Sequence, residues 1–155
     1  MKRNIHISKI MTRELITLDV NDTLYTAEML FKKHHIRHLP VLKEKKLVGI
    51  LSYTDLLRLC YADIVETPED TLETFMYDHF TISQVMNQNL VVVSPKTSLK
   101  EVAELLSVRE FHALPVVENG FLRGIITTTD VIRYFLDTCL YPEANRYQKK
   151  CEPTS

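Results

Sequence analysis

Two short segments carry the residue types that could do chemistry. Gly49-Ile50-Leu51-Ser52-Tyr53-Thr54-Asp55 and Gly124-Ile125-Ile126-Thr127-Thr128-Thr129-Asp130 each run from apolar residues into hydroxyl residues and then an acid. The apolar part reads as a buried strand. The Thr-Asp pair reads as the opening of a helix, with Asp or Thr as its cap. A carboxylate at a helix mouth can accept two hydrogen bonds from a vicinal diol, such as the 2′ and 3′ hydroxyls of ribose. Hydroxyls and free N–H groups at the same helix start can hold phosphate oxygens. Taken singly, Asp55 and Asp130 each read first as plain helix caps. As a matched pair they point toward a site.

The match extends well beyond these segments. Residues 7–60 align on residues 82–135 at a constant offset of 75, without a gap, and fifteen of the 54 pairs are identical. A repeat of this length means two copies of one small α/β unit. Two such copies packing together create a pseudo-two-fold axis, and any cleft between them comes as a pair.

Each copy reads as short helix, strand, helix, strand, strand, helix. In the second copy, Leu90 to Val93 is a β-branched run that predicts a strand. Ser98-x-x-Glu101 has the form of a capping box, followed by Leu99, Val102, Leu105 and Leu106 on one helix face. Ala113 to Val117 and Leu122 to Thr127 form a hairpin on the turn Glu118-Asn119-Gly120. Pro115 suggests an edge or a strand start, because proline donates no ladder hydrogen bond. A helix follows through about Leu136. In the first copy the matching parts are a strand at Leu15 to Leu18, a helix face of Leu24, Ala27, Leu30 and Phe31, a hairpin of His38 to Leu42 and Leu47 to Ser52, and a helix from Asp55 to about Ala62. Two of the three glycines, Gly49 and Gly124, fall at equivalent places in the third strand. A glycine there marks a bulge, or a close approach of another group.

Between the copies, residues 62–80 carry six acids and no Lys or Arg, and Thr71, Leu72, Phe75, Met76 and Phe80 suggest a short amphipathic helix with a solvated acidic face. The expected division is therefore repeat one at 7–60, an acidic and partly helical linker at 61–81, repeat two at 82–135, and a helix end with a polar tail at 136–155. A net charge of −1 argues against a general nucleic-acid binder. No apolar run reaches the roughly 18 residues of a membrane span, and the basic start lacks the apolar stretch of a signal peptide. Cys60, Cys139 and Cys151 are odd in number and lack CxxC spacing, so reduced thiols in a cytoplasmic protein are expected.

The repeated Leu-Pro-Val, the segment Gly-Ile-x-[Ser/Thr]-x-Thr-Asp with an Arg three residues later, and the Met11 and Met86 that precede them resemble the cystathionine-β-synthase (CBS) domain family. Two in tandem resemble a Bateman module, over about 70% of the chain. The resemblance implies an α/β (α+β) fold of two β-α-β-β-α repeats packed through their sheets with pseudo-two-fold symmetry. It also implies adenosine-type ligands (AMP, ADP, ATP or S-adenosylmethionine) in clefts between the repeats. By position, Ser52 and Thr127 match the family's site hydroxyl, Thr54 and Thr129 the residue before the acid, and Asp55 and Asp130 the ribose-binding acid. Arg37 and His38 in copy one, and His112 in copy two, match the segment that meets phosphate or ribose. Copy two has Ala113 where copy one has His38, so the two sites are expected to differ in affinity. Apolar residues around Leu18 and Val93 would flank adenine.

His34 and His38 are four apart, but the strand near His38 should end the helix first, and no nearby Cys or carboxylate completes a metal site. No nucleophile, base and orienting acid come together, so no catalytic residues are assigned. The expectation is a stand-alone, non-enzymatic regulatory module. It would need no cofactor, form a homodimer, and signal to a separate enzyme or transporter. The alternative is a dimerisation or scaffold module independent of nucleotide.

Overall fold

The computed structural model describes residues 5–62, Tyr77 and residues 79–140. The acidic stretch at 63–76, most of the linker helix expected there, and the tail after Leu140 lie outside the described residues, as do the three cysteine side chains. Mixed helices and small sheets make this an α/β chain, as expected. The strands are β1 (Leu18–Asp19), β2 (His38–Lys43), β3 (Lys46–Ser52), β4 (Ala113–Glu118) and β5 (Phe121–Thr127). The α-helices are α1 (Leu24–His34), α2 (Tyr53–Ala62), α3 (Ile82–Val85), α4 (Leu99–Val108) and α5 (Thr128–Phe135). A 3-10 turn at Ile7–Lys9 precedes them and a π turn at Leu136–Leu140 follows. The chain divides into two units whose main breaks fall after Arg13 and after Val91. These breaks are staggered against the sequence repeats. The leading segment of repeat two belongs with the body of repeat one, and the leading segment of repeat one with the body of repeat two.

In the first unit the sheet order is β1-β2-β3. β1 runs parallel to β2, with Leu18 opposite Val41, and β2 and β3 form an antiparallel hairpin. Pro40 lies inside the central strand of this sheet. It is tolerated because β1 begins only opposite Val41, so nothing on that side of Pro40 needs its missing donor. The register slips between Val41 and Leu42, which leaves Val48 as the extra residue of a bulge directly before Gly49. At Gly49 a Cβ would collide with the Met86 sulfur, so the glycine, directly after the bulge, serves a close approach. Asn87 completes the attachment by exchanging two backbone hydrogen bonds with Ile50, at 2.9 and 3.0 Å. The core consists of Leu18, Leu24, Ala27, Phe31, Leu39, Val41, Leu51, Leu56, Ile82 and Met86.

The second unit repeats the scheme with the other leading segment. Thr12 exchanges backbone hydrogen bonds with Ile125, at 2.9 and 3.0 Å, and Met11 covers Gly124, where a Cβ would stand 2.9 Å from both the Met11 sulfur and the Thr12 carbonyl oxygen. The strand expected at Leu90 to Val93 shrinks to a single parallel bridge, Val93 to Val116, and the first copy's strand to Leu18–Asp19. β-branched residues favour extended backbone, but a strand also needs a partner ladder, and here only Val93 finds one. Its N–H donates to Pro115 and its carbonyl accepts from Val117, at 3.0 and 2.8 Å.

Local chemistry sets the element ends. Thr23 caps α1 by accepting from Thr26 N–H, and Ser98 caps α4 by accepting from Glu101 N–H. The Ser98 box closes on that arm alone, with His6 bridged to Ser98 on the strand side. α1 ends with Lys32, Lys33 and His34 in its last turn, complementing the helix dipole, and His35 turns the chain with φ 52°. Asn119 and Gly120 both take positive φ, which makes the second hairpin loop a type I′ turn. The first copy forces Glu44 and Lys45 into the same conformation (φ 49° and 67°) without a glycine. Left-handed backbone costs a residue with a side chain about 1–2 kcal/mol.

One charged residue lies on the buried face of α1. Glu28 is 9% exposed, pairs with Lys32 one turn on, and accepts a hydrogen bond from the Tyr77 hydroxyl at 2.7 Å. Tyr77 also meets the Tyr25 ring edge-on. Burial pushes the Glu28 carboxyl up, but the hydrogen bonds from Lys32 and Tyr77 and the Lys32 charge outweigh it and hold it below the ordinary value of 4.5. A carboxyl lowered in the folded state adds stability that is complete above its ordinary value and lost as pH falls through the lowered one. The urea midpoint should therefore fall as pH drops below about 4.5, and fall less for Glu28→Gln. Parallel curves for the two proteins would show that the carboxylate contributes nothing.

Candidate functional site

The residues singled out by the repeat gather, within each unit, where the third strand turns into a helix. In the first unit Ser52 is the last residue of β3, Tyr53 begins α2 and Asp55 sits in the first helical turn. His38 opens β2 directly opposite Ser52. Residues paired across an antiparallel ladder project to the same side, so His38 and Ser52 share a face of the sheet. The Arg37 carbonyl accepts from Tyr53 N–H at 2.9 Å and ties the start of β2 to the start of α2. The second unit copies this tie, with Thr128 N–H donating to the His112 carbonyl at 3.0 Å. Arg37, His112, Thr54 and Thr129 are exposed, while Ser52, Asp55, Thr127, Asp130 and His38 are half-buried.

The helix cap falls earlier than the sequence suggested. Thr127, not Thr129 or Asp130, is the N-cap of α5. It is the last residue still extended (φ −119°, ψ 164°), and its hydroxyl accepts from Asp130 N–H at 3.2 Å. Asp130 reaches back, and its Oδ2 accepts from the Thr127 hydroxyl at 2.7 Å and from Thr127 N–H at 2.9 Å. This reciprocal arrangement is a capping box with Asp as its acid. Ser52 and Asp55 form the related pair: Asp55 N–H donates to Ser52 Oγ at 3.0 Å, and Ser52 Oγ–H donates to Asp55 Oδ2 at 2.5 Å. Both acids thus hold the start of a helix. In each, Oδ2 serves the helix start; Oδ1 faces Arg58 at Asp55 and has no partner among the described residues at Asp130.

Leu18 and Val93 are 1% and 8% exposed, so their own side chains pack inward and do not line a surface. Next to Val93, Val92 is 47% exposed. His34 ends α1 while His38 lies in β2, so these two histidines do not share a helix face. Among the described residues no group of His, Cys, Asp or Glu is arranged to hold a metal ion, and no helix is long and apolar enough to cross a membrane. The sequence reading passed over Arg58, a neighbour of the site: its Nη1 lies 3.7 Å from Asp55 Oδ1. The signal was present, because Arg58 and Arg133 are an identical pair three residues after the acids.

A hydroxyl–acid box at the end of a third strand, built twice on a swapped β-hairpin core, defines a tandem CBS pair. The CBS domain model matches residues 7–62 and 82–137, and the chain belongs to that family. Among curated relatives, protein MJ1225 of Methanocaldococcus jannaschii is 30% identical over 130 residues, covering 83% of this chain and 46% of that protein. The chain spans half or less of the length of the first such relatives it matches, 46% and 33%. The structure of MJ1225 superposes with a TM-score of 0.75 at 28% identity, over 87% of this chain and 49% of that one. CBSX2 of Arabidopsis thaliana superposes with a TM-score of 0.74 at 29% identity, over 88% and 97%. CBSX2 has also been solved in complex with AMP. The CBS pair of MJ0100, solved in complex with 5-methylthioadenosine and S-adenosyl-L-methionine, superposes with a TM-score of 0.72 at 25% identity, over 88% and 99%.

The box has a measurable cost of removal. Thr127→Val keeps the shape and deletes the hydroxyl, and should lower stability by about 1 kcal/mol, as lost caps do. Thr129→Val, exposed and outside the box, should stay within about 0.5 kcal/mol of the parent. Urea denaturation compares the two, and equal midpoints would mean that the Thr127 hydroxyl does not hold the helix start.

Proposed function

We propose that this chain is a cytoplasmic regulatory module that binds adenosine-type ligands (AMP, ADP, ATP or S-adenosylmethionine) and has no catalytic step of its own. The observation that carries this reading is a carboxylate anchored through one oxygen at the start of a helix, present at the same place in both repeats. AMP, 5-methylthioadenosine and S-adenosylmethionine, bound by CBSX2 and the MJ0100 pair, share adenine and a ribose diol but differ in their 5′ groups. A diol donates two hydrogen bonds, and an anchored carboxylate accepts them. In this reading Asp55 and Asp130 hold ribose. Ser52, Thr54, Thr127 and Thr129 line it, and Arg37, His38 and His112 meet the 5′ group. Ligand occupancy then biases a conformational equilibrium by its differential affinity for the two states, and a separate enzyme or transporter reads the outcome.

Thermal denaturation against AMP, ADP, ATP, S-adenosylmethionine and NAD tests this. A ligand at 100 times its dissociation constant adds about 2.7 kcal/mol. The melting temperature should rise selectively for adenosine ligands, and Asp130→Asn should lose about tenfold or more in affinity. A folded protein that none of these ligands stabilises would sink the reading.

The module is also proposed to be a homodimer. Ile132, Phe135 and Leu136 stand at i, i+3 and i+4 on α5 and the turn after it, and are 58%, 51% and 38% exposed. A continuous apolar row of this kind is seldom left to water on a soluble surface. Sedimentation should give a dimer for the parent and a monomer for Phe135→Glu, whereas a monomeric parent would refute the assignment.

A further inference from the structure

The two junctions share a plan but not a state. At Asp130 the box is closed. Thr127 N–H and the Thr127 hydroxyl both bond Oδ2, and Oδ1 has no partner among the described residues. At Asp55 the bond from the Ser52 backbone N–H to the acid is missing among the described residues, the hydroxyl alone holds Oδ2, and Oδ1 faces Arg58 Nη1 at 3.7 Å. Arg133 is the same residue at the same repeat position, yet among the described residues it makes no ion pair with Asp130. The oxygen a diol would need is therefore open in one copy and already faced by a cation in the other.

We infer that Arg58 is a positioning residue that sets the affinity order of the two sites: it holds the outward oxygen of Asp55, so ribose fills the Asp130 junction first. The inference rests on the ribose reading given above and adds to it a cause for inequality that lies in the acid itself rather than in His38. A guanidinium beside a carboxylate competes with any neutral donor for the same lone pairs. Arg58 is 78% exposed and Asp55 33%, so the competition is screened by water and salt and is modest in size. An exposed pair of this sort changes an equilibrium by about two- to fivefold.

The test uses adenosine, a neutral probe, so that loss of Arg58 is not confused with loss of a phosphate contact. In calorimetry of the Asp130→Asn protein, the remaining site should bind adenosine about two- to fivefold more tightly once Arg58→Gln is added. Arg58→Lys should keep the affinity low, because it keeps the charge. Raising salt should strengthen adenosine binding to Asp130→Asn and leave the double variant unaffected. Asn at 130 retains an acceptor for the capping box, and Arg58 is an exposed helix residue, so both proteins should fold. If adenosine binds but Arg58→Gln leaves its affinity unchanged or lowers it, the inference falls and the ribose reading stands. If the parent binds neither adenosine nor AMP, the ribose reading falls and takes the inference with it.

Discussion

The contact on which everything else depends is a methionine lying on a glycine. Met86 covers Gly49 in one unit and Met11 covers Gly124 in the other, and the next residue in each case pairs with the third strand through two backbone hydrogen bonds. The glycine is needed because any side chain would occupy the space of the thioether. The pairing is needed because the outer edge of β3 or β5 would otherwise present unsatisfied N–H and C=O groups. Met is suited to such a gap, being unbranched and adaptable. The third strand is thereby held on its hairpin side by register and on its outer side by the leading segment. The Ser or Thr that ends it three residues later can then arrive in one place.

That position decides what the acid can do. Asp55 and Asp130 are held by a hydroxyl that is itself held by the strand. Each acid spends one oxygen on the helix start; among the described residues the second is open at Asp130 and faces Arg58 at Asp55. A carboxylate anchored in this way loses little freedom when it takes a ligand, which is the advantage of preorganisation. The tie from the Arg37 or His112 carbonyl to the first N–H of the helix adds a second support and brings the start of the preceding strand to the same junction. The site is thus assembled from ordinary solutions to a helix's unsatisfied donors rather than from residues set apart for binding.

Much of this was legible in the sequence, because the repeat acts as its own control. The offset of 75 isolated the acids, the hydroxyls and the two glycines, and periodicity found the buried faces of α1 and α4. Other features depended on partners that sequence order hides. Leu90 to Val93 has the composition of a strand, but only Val93 meets another strand. Pro40 lies in a central strand, tolerated there because the neighbouring strand starts one residue later. Glu28 was passed over as a charge on an apolar face, and its partner Tyr77 is 49 residues away. The exchange of leading segments could not be seen at all, since the identity of Met11 with Met86 says that they do the same thing and not for which copy.

The exchange also changes what a repeat is. Neither sequence copy contains the residues that cover its own glycine or pair with the outer edge of its own third strand. Each copy supplies these to the other unit, so the folding unit is not the unit of sequence repetition. A constraint shared in this way keeps the paired positions matched, because Gly49 and Met86 must fit each other, as must Gly124 and Met11. It places no such demand on the loops. There the copies have drifted apart, with Asn119-Gly120 relaxed in the left-handed turn that Glu44-Lys45 occupies under strain. The site lies between these extremes. Its acid and hydroxyl are fixed by the strand–helix junction, while the groups around them (His38 against Ala113, a paired Arg58 against an Arg133 set apart from Asp130) are free to differ. A duplicated scaffold thus holds two equivalent junctions in unequal surroundings.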